Sequence, residues 1–113
     1  MKYADRTTLS AEVLAAAQEV GDKLSRLRKA RRILQSEAAL RAGLSRSTAV
    51  LLEAGDPGRT LSQVLRYLNA LSPGATMLDL LNETDPALKT LQQKEATKRV
   101  RTLSAAELRE VDF

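Results

Sequence analysis

The chain has 113 residues with 18 basic and 14 acidic side chains, and it contains neither cysteine nor histidine. This composition excludes thiol nucleophiles, disulfides, imidazole bases and the commonest zinc ligands. Aromatic residues make up only 3% of the chain and hydrophobic residues 43%, so a core must be built mainly from Leu, Val and Ala. Such a core favours helices over a β-sandwich, and we expect an all-α domain with a tail.

No apolar run of the chain approaches the roughly 20 residues that a membrane-spanning helix requires. The N-terminus also lacks the basic-then-apolar order of a signal peptide. Serine, lysine and carboxylate side chains remain available for catalysis, but no two of them form a recognisable catalytic arrangement. We therefore expect a cytoplasmic protein that is not an enzyme, makes no membrane contact and holds no metal or cofactor.

The beginning of the chain predicts a partly helical N-terminal extension, residues 1–20. A helix is expected to begin near residue 10, because apolar side chains then recur at three- or four-residue steps. Gly21-Asp22 either breaks this helix into two pieces or only weakens it, since glycine costs about 1 kcal/mol against alanine in a helix interior. The first core helix is placed at about residues 22–32.

The stretch that follows reads QSEAALRAGLSRSTAVLLEAG and predicts two short helices joined by a tight turn. The first covers about residues 35–42, and Gly43 supplies the positive φ that ends it. Ser45 is the expected N-cap of the second, about residues 46–53. Alanines on the facing sides allow the two helices to approach closely. A helix, a short turn with glycine and a second helix form the pattern of the helix-turn-helix that reads DNA.

Positive charge is concentrated around this pair of helices. Residues 23–46 carry eight basic side chains against one acidic side chain, Glu37. A basic helix can be no more than a solvated face. Beside a helix-turn-helix, however, a surface that binds a polyanion is expected.

The rest of the chain predicts two more helices and a tail. After the turn at 55–58, Thr60 and Gln63 form a capping box that opens a fourth helix, which is expected to run through Leu71. Thr76 then starts a short fifth helix at 77–81, which completes a domain of residues 21–82.

The remaining residues, 83–113, are predicted to form a polar tail with a short helix near 104–110. Such a segment either orders on a partner or packs on its own domain.

With these features laid out, the chain resembles the Cro/phage-repressor (Xre) family of helix-turn-helix DNA-binding proteins over about residues 21–82. The matching residues are Leu27-Arg28, Gln35, Ala39, the turn Ala42-Gly43-Leu44-Ser45, Arg46-Ser47-Thr48, Glu53 and Gly55. The resemblance implies a five-helix repressor-like bundle. Small members of this kind are often DNA-binding antitoxins, and the layout is most similar to the HipB-type regulators that are paired with kinase toxins.

The resemblance implies that the N-terminal half of the third helix reads bases. Arg46 and Ser47 would face the major groove, where arginine can make a bidentate contact to a guanine edge. Family members usually have polar groove-facing residues where this chain has Val50 and Leu51. These two side chains either meet thymine methyl groups or are covered by protein.

Contacts to DNA phosphates are expected around these readout residues. Gln35, at the start of the second helix, would bind a phosphate together with the N–H groups of that helix. Arg32, Ser45, Thr48 and Arg59 are further phosphate candidates. Arg32 stands where the family commonly has a helix-ending glycine, so it needs a strained φ or a different connection. Three other basic residues near the readout residues, Lys29, Arg31 and Arg41, are also candidates for phosphate contacts.

Arg28 and Glu53 resemble the internal ion pair of the family, which ties the first helix to the end of the third. The alternative is that Arg28 is one more phosphate contact. One such domain touches only a few base pairs, so the resemblance implies a homodimer on a palindromic operator with half-sites about 34–36 Å apart. We predict Met77, Leu78 and Leu81 at the dimer interface, although these residues could instead complete the monomer core.

Together these features predict a sequence-specific transcriptional repressor that binds double-stranded DNA. We expect it to be the autoregulatory antitoxin of a toxin–antitoxin operon, with a toxin such as a HipA-like kinase as its protein partner. The alternative is a protein-interaction subunit whose helix-turn-helix serves as a scaffold rather than as a DNA reader.

Overall fold

A computed structural model of the protein describes the backbone of residues 8–111 and the side chains of residues 8–100. The first seven residues of the predicted N-terminal extension lie outside this range. Within it, the regular structure is helical, which confirms the all-α fold. Six helices follow in order: α1 (Ala11–Ala30), α2 (Gln35–Ala42), α3 (Arg46–Glu53), α4 (Leu61–Leu71), α5 (Met77–Leu81) and α6 (Pro86–Val111).

α1 runs unbroken through Gly21-Asp22, so the expected start of the first core helix at residue 22 is wrong. The N-cap of α1 is Ser10, whose hydroxyl accepts a hydrogen bond from the Val13 N–H at 3.2 Å. Gly21 is required because the backbone of the turn after α3 passes directly against it. A Cβ at this position would lie 2.5 Å from the backbone nitrogen of Gly55.

The helices α2 to α5 have the bounds that the sequence predicts, because each begins or ends on a local signal. Gly43 ends α2 with a φ of 70°. The Ser45 hydroxyl caps α3. Capping boxes open α4 at Thr60 and α5 at Thr76.

The core lies where α1, α2, α3 and α4 meet, and its largest fully buried side chain is Tyr67. α5 and the first turns of α6 close it with one leucine each. The buried hydrophobic residues are Leu24, Leu27, Ala38, Ala39, Ala42, Ala49, Leu52, Tyr67, Leu68, Leu71, Leu80 and Leu88.

α6 is a helix of 26 residues, whereas the sequence predicted a helix only near 104–110. Its first turns belong to the domain, because Leu88 is buried in the core and Leu91 packs against the core. Arg26 of α1 also holds α6 in place through hydrogen bonds outside the core. Its guanidinium donates to both carboxylate oxygens of Glu95 at 2.7 and 2.6 Å, and to Glu83 at 2.5 Å. The side chains of residues 96–100 are all exposed.

The contact between α1 and the turn after α3 can be tested with Gly21→Ala. We expect the variant to lose about 1–3 kcal/mol in free energy of unfolding, because the added methyl group meets backbone atoms that cannot swing aside. The gain in helix propensity, about 1 kcal/mol, opposes this loss. Urea denaturation of both proteins measures the difference.

Gly58→Ala is the matched control, since a Cβ there meets only a carboxylate oxygen of Asp56, at 3.1 Å. A Gly21→Ala variant as stable as the Gly58→Ala variant would contradict the close approach.

Candidate nucleic-acid interface

α2 and α3 form a tight helix pair around the turn at Gly43. The N–H of Gly43 donates to the Leu40 carbonyl at 3.1 Å, and that of Leu44 to the Ala39 carbonyl at 2.9 Å. These two hydrogen bonds close the left-handed end of α2. Leu44 also packs against the core and so attaches the turn to the rest of the domain.

Arg66 of α4 fastens this turn to the rest of the domain, a role that the sequence did not predict. Its Nη2 donates to the Gly43 carbonyl at 2.7 Å, and its Nε donates to the Ala42 carbonyl at 3.2 Å. These carbonyls stand at the end of α2, where backbone acceptors lack helical partners. An arginine that binds backbone carbonyls leaves no sequence pattern, which is why it was missed.

The outer face of α3 presents the predicted readout residues. Arg46 and Ser47 are exposed, and Val50 is 46% exposed one turn further along. Leu51 is half-buried and offers only part of its side chain. Ala49, on the opposite face of the helix, is buried in the core. The protein therefore leaves Val50 uncovered in the monomer.

Ser45 and Thr48 are connected to each other at the start of α3. The Ser45 hydroxyl accepts from the Thr48 N–H at 3.1 Å and donates to the Thr48 hydroxyl oxygen at 2.9 Å. The Ser47 hydroxyl lies 3.1 Å from that of Ser45. The Ser45 hydroxyl is therefore already used to cap α3. Thr48 is the other predicted phosphate contact, and its hydroxyl proton remains available for an outside acceptor.

The start of α2 is built differently. Its N-cap is Leu34, so no side chain of the described chain caps the first N–H groups of this helix. Free N–H groups at a helix N-terminus can bind an anion. Gln35 occupies the first position of α2, half-buried beside these groups.

Arg32 connects α1 to α2 in the strained conformation that the sequence suggested. Its φ is 57°, in the left-handed region that glycine usually occupies. The Arg32 N–H donates to the Lys29 carbonyl at 3.0 Å, and the next N–H, from Ile33, donates to the Arg28 carbonyl at 3.2 Å. This pattern ends α1 as a glycine would. It also leaves the Arg32 side chain exposed beside the start of α2.

The other basic candidates differ in whether they already have partners. Arg31 is paired with Asp85 at 2.6 Å, and Arg41 with Glu37 at 2.5 Å. Arg59 lines an apolar cleft between α1, α4 and α5, and its buried Nε lacks a hydrogen-bond partner within the described chain. The readout residues of α3 do not line this cleft. The phosphate contact of Arg59 therefore stays a prediction, for a side chain that also borders this cleft.

The ion pair expected between Arg28 and Glu53 is present. The Arg28 Nε lies 2.6 Å from Glu53 Oε2 and its Nη2 lies 3.0 Å from Oε1. Tyr67 donates its hydroxyl proton to the same carboxylate. The third Arg28 nitrogen donates to the Ile33 carbonyl at 2.9 Å, just before α2. Each Arg28 nitrogen therefore has a partner within the protein, which favours the ion pair over a phosphate contact for this residue.

This network shifts the pKa of each acidic partner. Burial opposes ionisation of Glu53, but the hydrogen bonds from Arg28 and Tyr67 outweigh it and hold the pKa of this carboxyl below its usual range. Burial, together with the hydrogen bond to Glu53, raises the pKa of the Tyr67 phenol. The pair is consequently ionised and the tyrosine is neutral at neutral pH.

The residues predicted at the dimer interface divide between two environments. Leu78 is 70% exposed and Leu81 is 39% exposed, while Leu80 between them is buried in the core. Met77 packs against the core and lines the cleft between α1, α4 and α5. The alternative in which α5 only completes the monomer core therefore does not hold for Leu78 or Leu81.

The chain matches no known protein family, no characterised protein and no solved structure. No helix in the described part of the chain has the length and apolar character needed to cross a membrane. Within residues 8–100, no group of three or more acidic side chains is arranged to hold a metal ion.

The contribution of Glu53 to stability is expected to depend on pH. Its folded-state pKa lies below the ordinary value of 4.5. Its stabilising effect is therefore complete above that value and is lost as the pH falls through the folded-state pKa. Glu53→Gln should lower the free energy of unfolding by about 3 kcal/mol at neutral pH, because Arg28 is left buried without its partner. The difference from the wild type should shrink in acid.

Urea denaturation at several pH values measures this difference. Glu37→Gln serves as the control, since the exposed pair with Arg41 contributes about 0.5 kcal/mol or less. A Glu53→Gln effect that stays constant from neutral pH into acid would contradict the assignment.

Proposed function

We propose that the chain is a sequence-specific DNA-binding repressor. The observation that carries this proposal is the outer face of α3, where Arg46, Ser47 and Val50 are exposed on a short helix whose other face is buried. Arginine can bind a guanine edge with two hydrogen bonds, and valine can contact a thymine methyl group. A helix of eight residues that displays such side chains near its N-terminus suits the major groove.

The surroundings of α3 support contacts to the DNA backbone. The uncapped N-terminus of α2 offers N–H groups beside Gln35, and the exposed side chains of Arg32 and Lys29 precede it in the chain. Groups of this kind bind phosphates and fix the register of a protein on the duplex without reading sequence. Ser45 organises the start of α3, and Thr48 supplies a further hydroxyl donor.

We propose that the repressor acts as a homodimer on a palindromic operator. The exposed Leu78 and Leu81 of α5 support this part of the proposal, because both leucines lie on one short helix and are left uncovered by the domain. A dimer doubles the number of base pairs that are read, which a single small domain cannot do.

We further propose that the repressor is the antitoxin of a toxin–antitoxin operon, as its resemblance to HipB-type regulators suggests. The exposed side chains of residues 96–100 on α6, which include Val100, offer a surface for the toxin. A toxin reading frame adjacent to this gene, such as one for a HipA-like kinase, would support this proposal. Neighbouring genes without any toxin would argue against it.

DNA reading is tested by selecting a duplex from a random library with the wild-type protein and then measuring its affinity by fluorescence anisotropy. The logarithm of the binding constant should fall by about 0.9 per neutralised phosphate for each tenfold rise in salt. Arg46→Ala should reduce the preference for the selected duplex over a scrambled one by about 1–3 kcal/mol.

Arg41→Ala is the matched control, because Arg41 is already paired with Glu37. This variant should keep the wild-type preference for the selected duplex over the scrambled one. A protein that selects no duplex, or an Arg46→Ala variant with full preference, would favour the scaffold function instead.

The dimer is tested with Leu78→Glu. Placing a charge at the centre of the proposed apolar contact should convert the dimer to a monomer, because burial of an unpaired carboxylate is strongly unfavourable. Sedimentation equilibrium gives the mass of each species. Leu40→Glu changes a leucine on α2 that is at least as exposed as Leu78, and it should leave the dimer intact. A wild-type protein that is monomeric at all concentrations would contradict this interface.

A further inference from the structure

A groove lies between the end of α1, the turn that follows it and the first turns of α6. Its floor is apolar and includes Ala30 and Leu91. Its rim carries three basic side chains, Lys29, Arg32 and Lys94. These side chains come from three different elements, so the groove exists only because α6 packs against α1.

The positive charge on the rim of this groove is not neutralised by any side chain of residues 8–100. All three side chains are exposed, and none of them has an ion pair among the described residues. The neighbouring cations differ, since Arg26 binds Glu83 and Glu95. Three like charges around one groove repel one another, and a bound anion would relieve this repulsion.

The groove adjoins the candidate nucleic-acid interface. Arg32 lies three residues before Gln35, and three residues span at most about 11 Å even when fully extended. An anion in the groove would therefore lie close to the phosphate that we expect at the N-terminus of α2. The next phosphates of the same DNA strand are anions at such a position.

We propose that α6 forms part of the DNA-binding surface, and that Lys94 binds a backbone phosphate of the flanking duplex together with Lys29 and Arg32. This inference rests on the proposed function. The position of Lys94 is fixed by its neighbours on α6. The next residue, Glu95, is hydrogen-bonded to Arg26, and Leu91, one turn earlier, packs against the core. The contact reads no base, and it lengthens the stretch of DNA that each domain covers.

The test compares Lys94→Ala with Lys89→Ala. Lys89 is an exposed cation on the same helix that does not line the groove, so the two variants change the net charge equally. Binding is measured over a range of salt concentrations with the duplex selected by the wild-type protein, both with and without its flanking base pairs. Unfolding curves establish that both variants remain folded.

We expect Lys94→Ala to reduce the salt slope by about 0.9, the value for one phosphate contact, and Lys89→Ala to leave it unchanged. Removal of the flanking base pairs should weaken binding by the wild type and by Lys89→Ala more than it weakens binding by Lys94→Ala, in which only Lys29 and Arg32 remain to contact the flank. Lys94→Arg should restore both properties.

Equal slopes for the two alanine variants, or a length dependence as large in Lys94→Ala as in the wild type, would overturn the contact while leaving DNA binding itself intact. A wild-type protein that binds no DNA would overturn the proposed function as well.

Discussion

The ion pair between Arg28 and Glu53 holds together the elements on which the candidate interface depends. It joins α1 to the end of α3, Tyr67 connects the same carboxylate to α4, and the remaining Arg28 donor holds the Ile33 carbonyl just before α2. Removing two charges from water is costly, and this cost is offset only when the hydrogen bonds of both groups are satisfied. Here both carboxylate oxygens and three guanidinium nitrogens have partners. Directional bonds therefore fix the relative orientation of α2 and α3, which apolar packing alone would leave adjustable.

Small side chains complete this arrangement by allowing backbones to approach closely. α2 and α3 have eight residues each, so neither can bury much surface alone. The buried residues on the facing sides of these helices are mostly alanines, and Gly21 allows α1 to approach the turn after α3. Arg66 then fastens the turn between α2 and α3 from the side of α4. The result is a rigid scaffold that leaves the outer face of α3 uncovered.

The sequence predicted the parts of this fold that depend on neighbours in the chain. The bounds of α2 to α5 followed from Gly43, Ser45 and two capping boxes, all of which act within a few residues. The length of α6 was underestimated because its first half is held against α1 by contacts between distant residues. Arg26 and Glu95, which form one such contact, are 69 residues apart. The contact of Arg66 with the turn and the location of Arg59 in a cleft were missed for the same reason. The partnership of Arg28 with Glu53 was anticipated through the family resemblance, because spacing alone does not reveal it.

The left-handed conformation of Arg32 has a consequence for the evolution of this domain. A residue other than glycine in this region costs about 1–2 kcal/mol, and the hydrogen bonds that end α1 require this conformation whatever the side chain. Glycine would therefore make the domain more stable and would also remove one cation beside the start of α2. Under the proposed function, selection for thermal stability and selection for DNA affinity would act in opposite directions at this position. Homologues from hot environments are the place to look for the exchange.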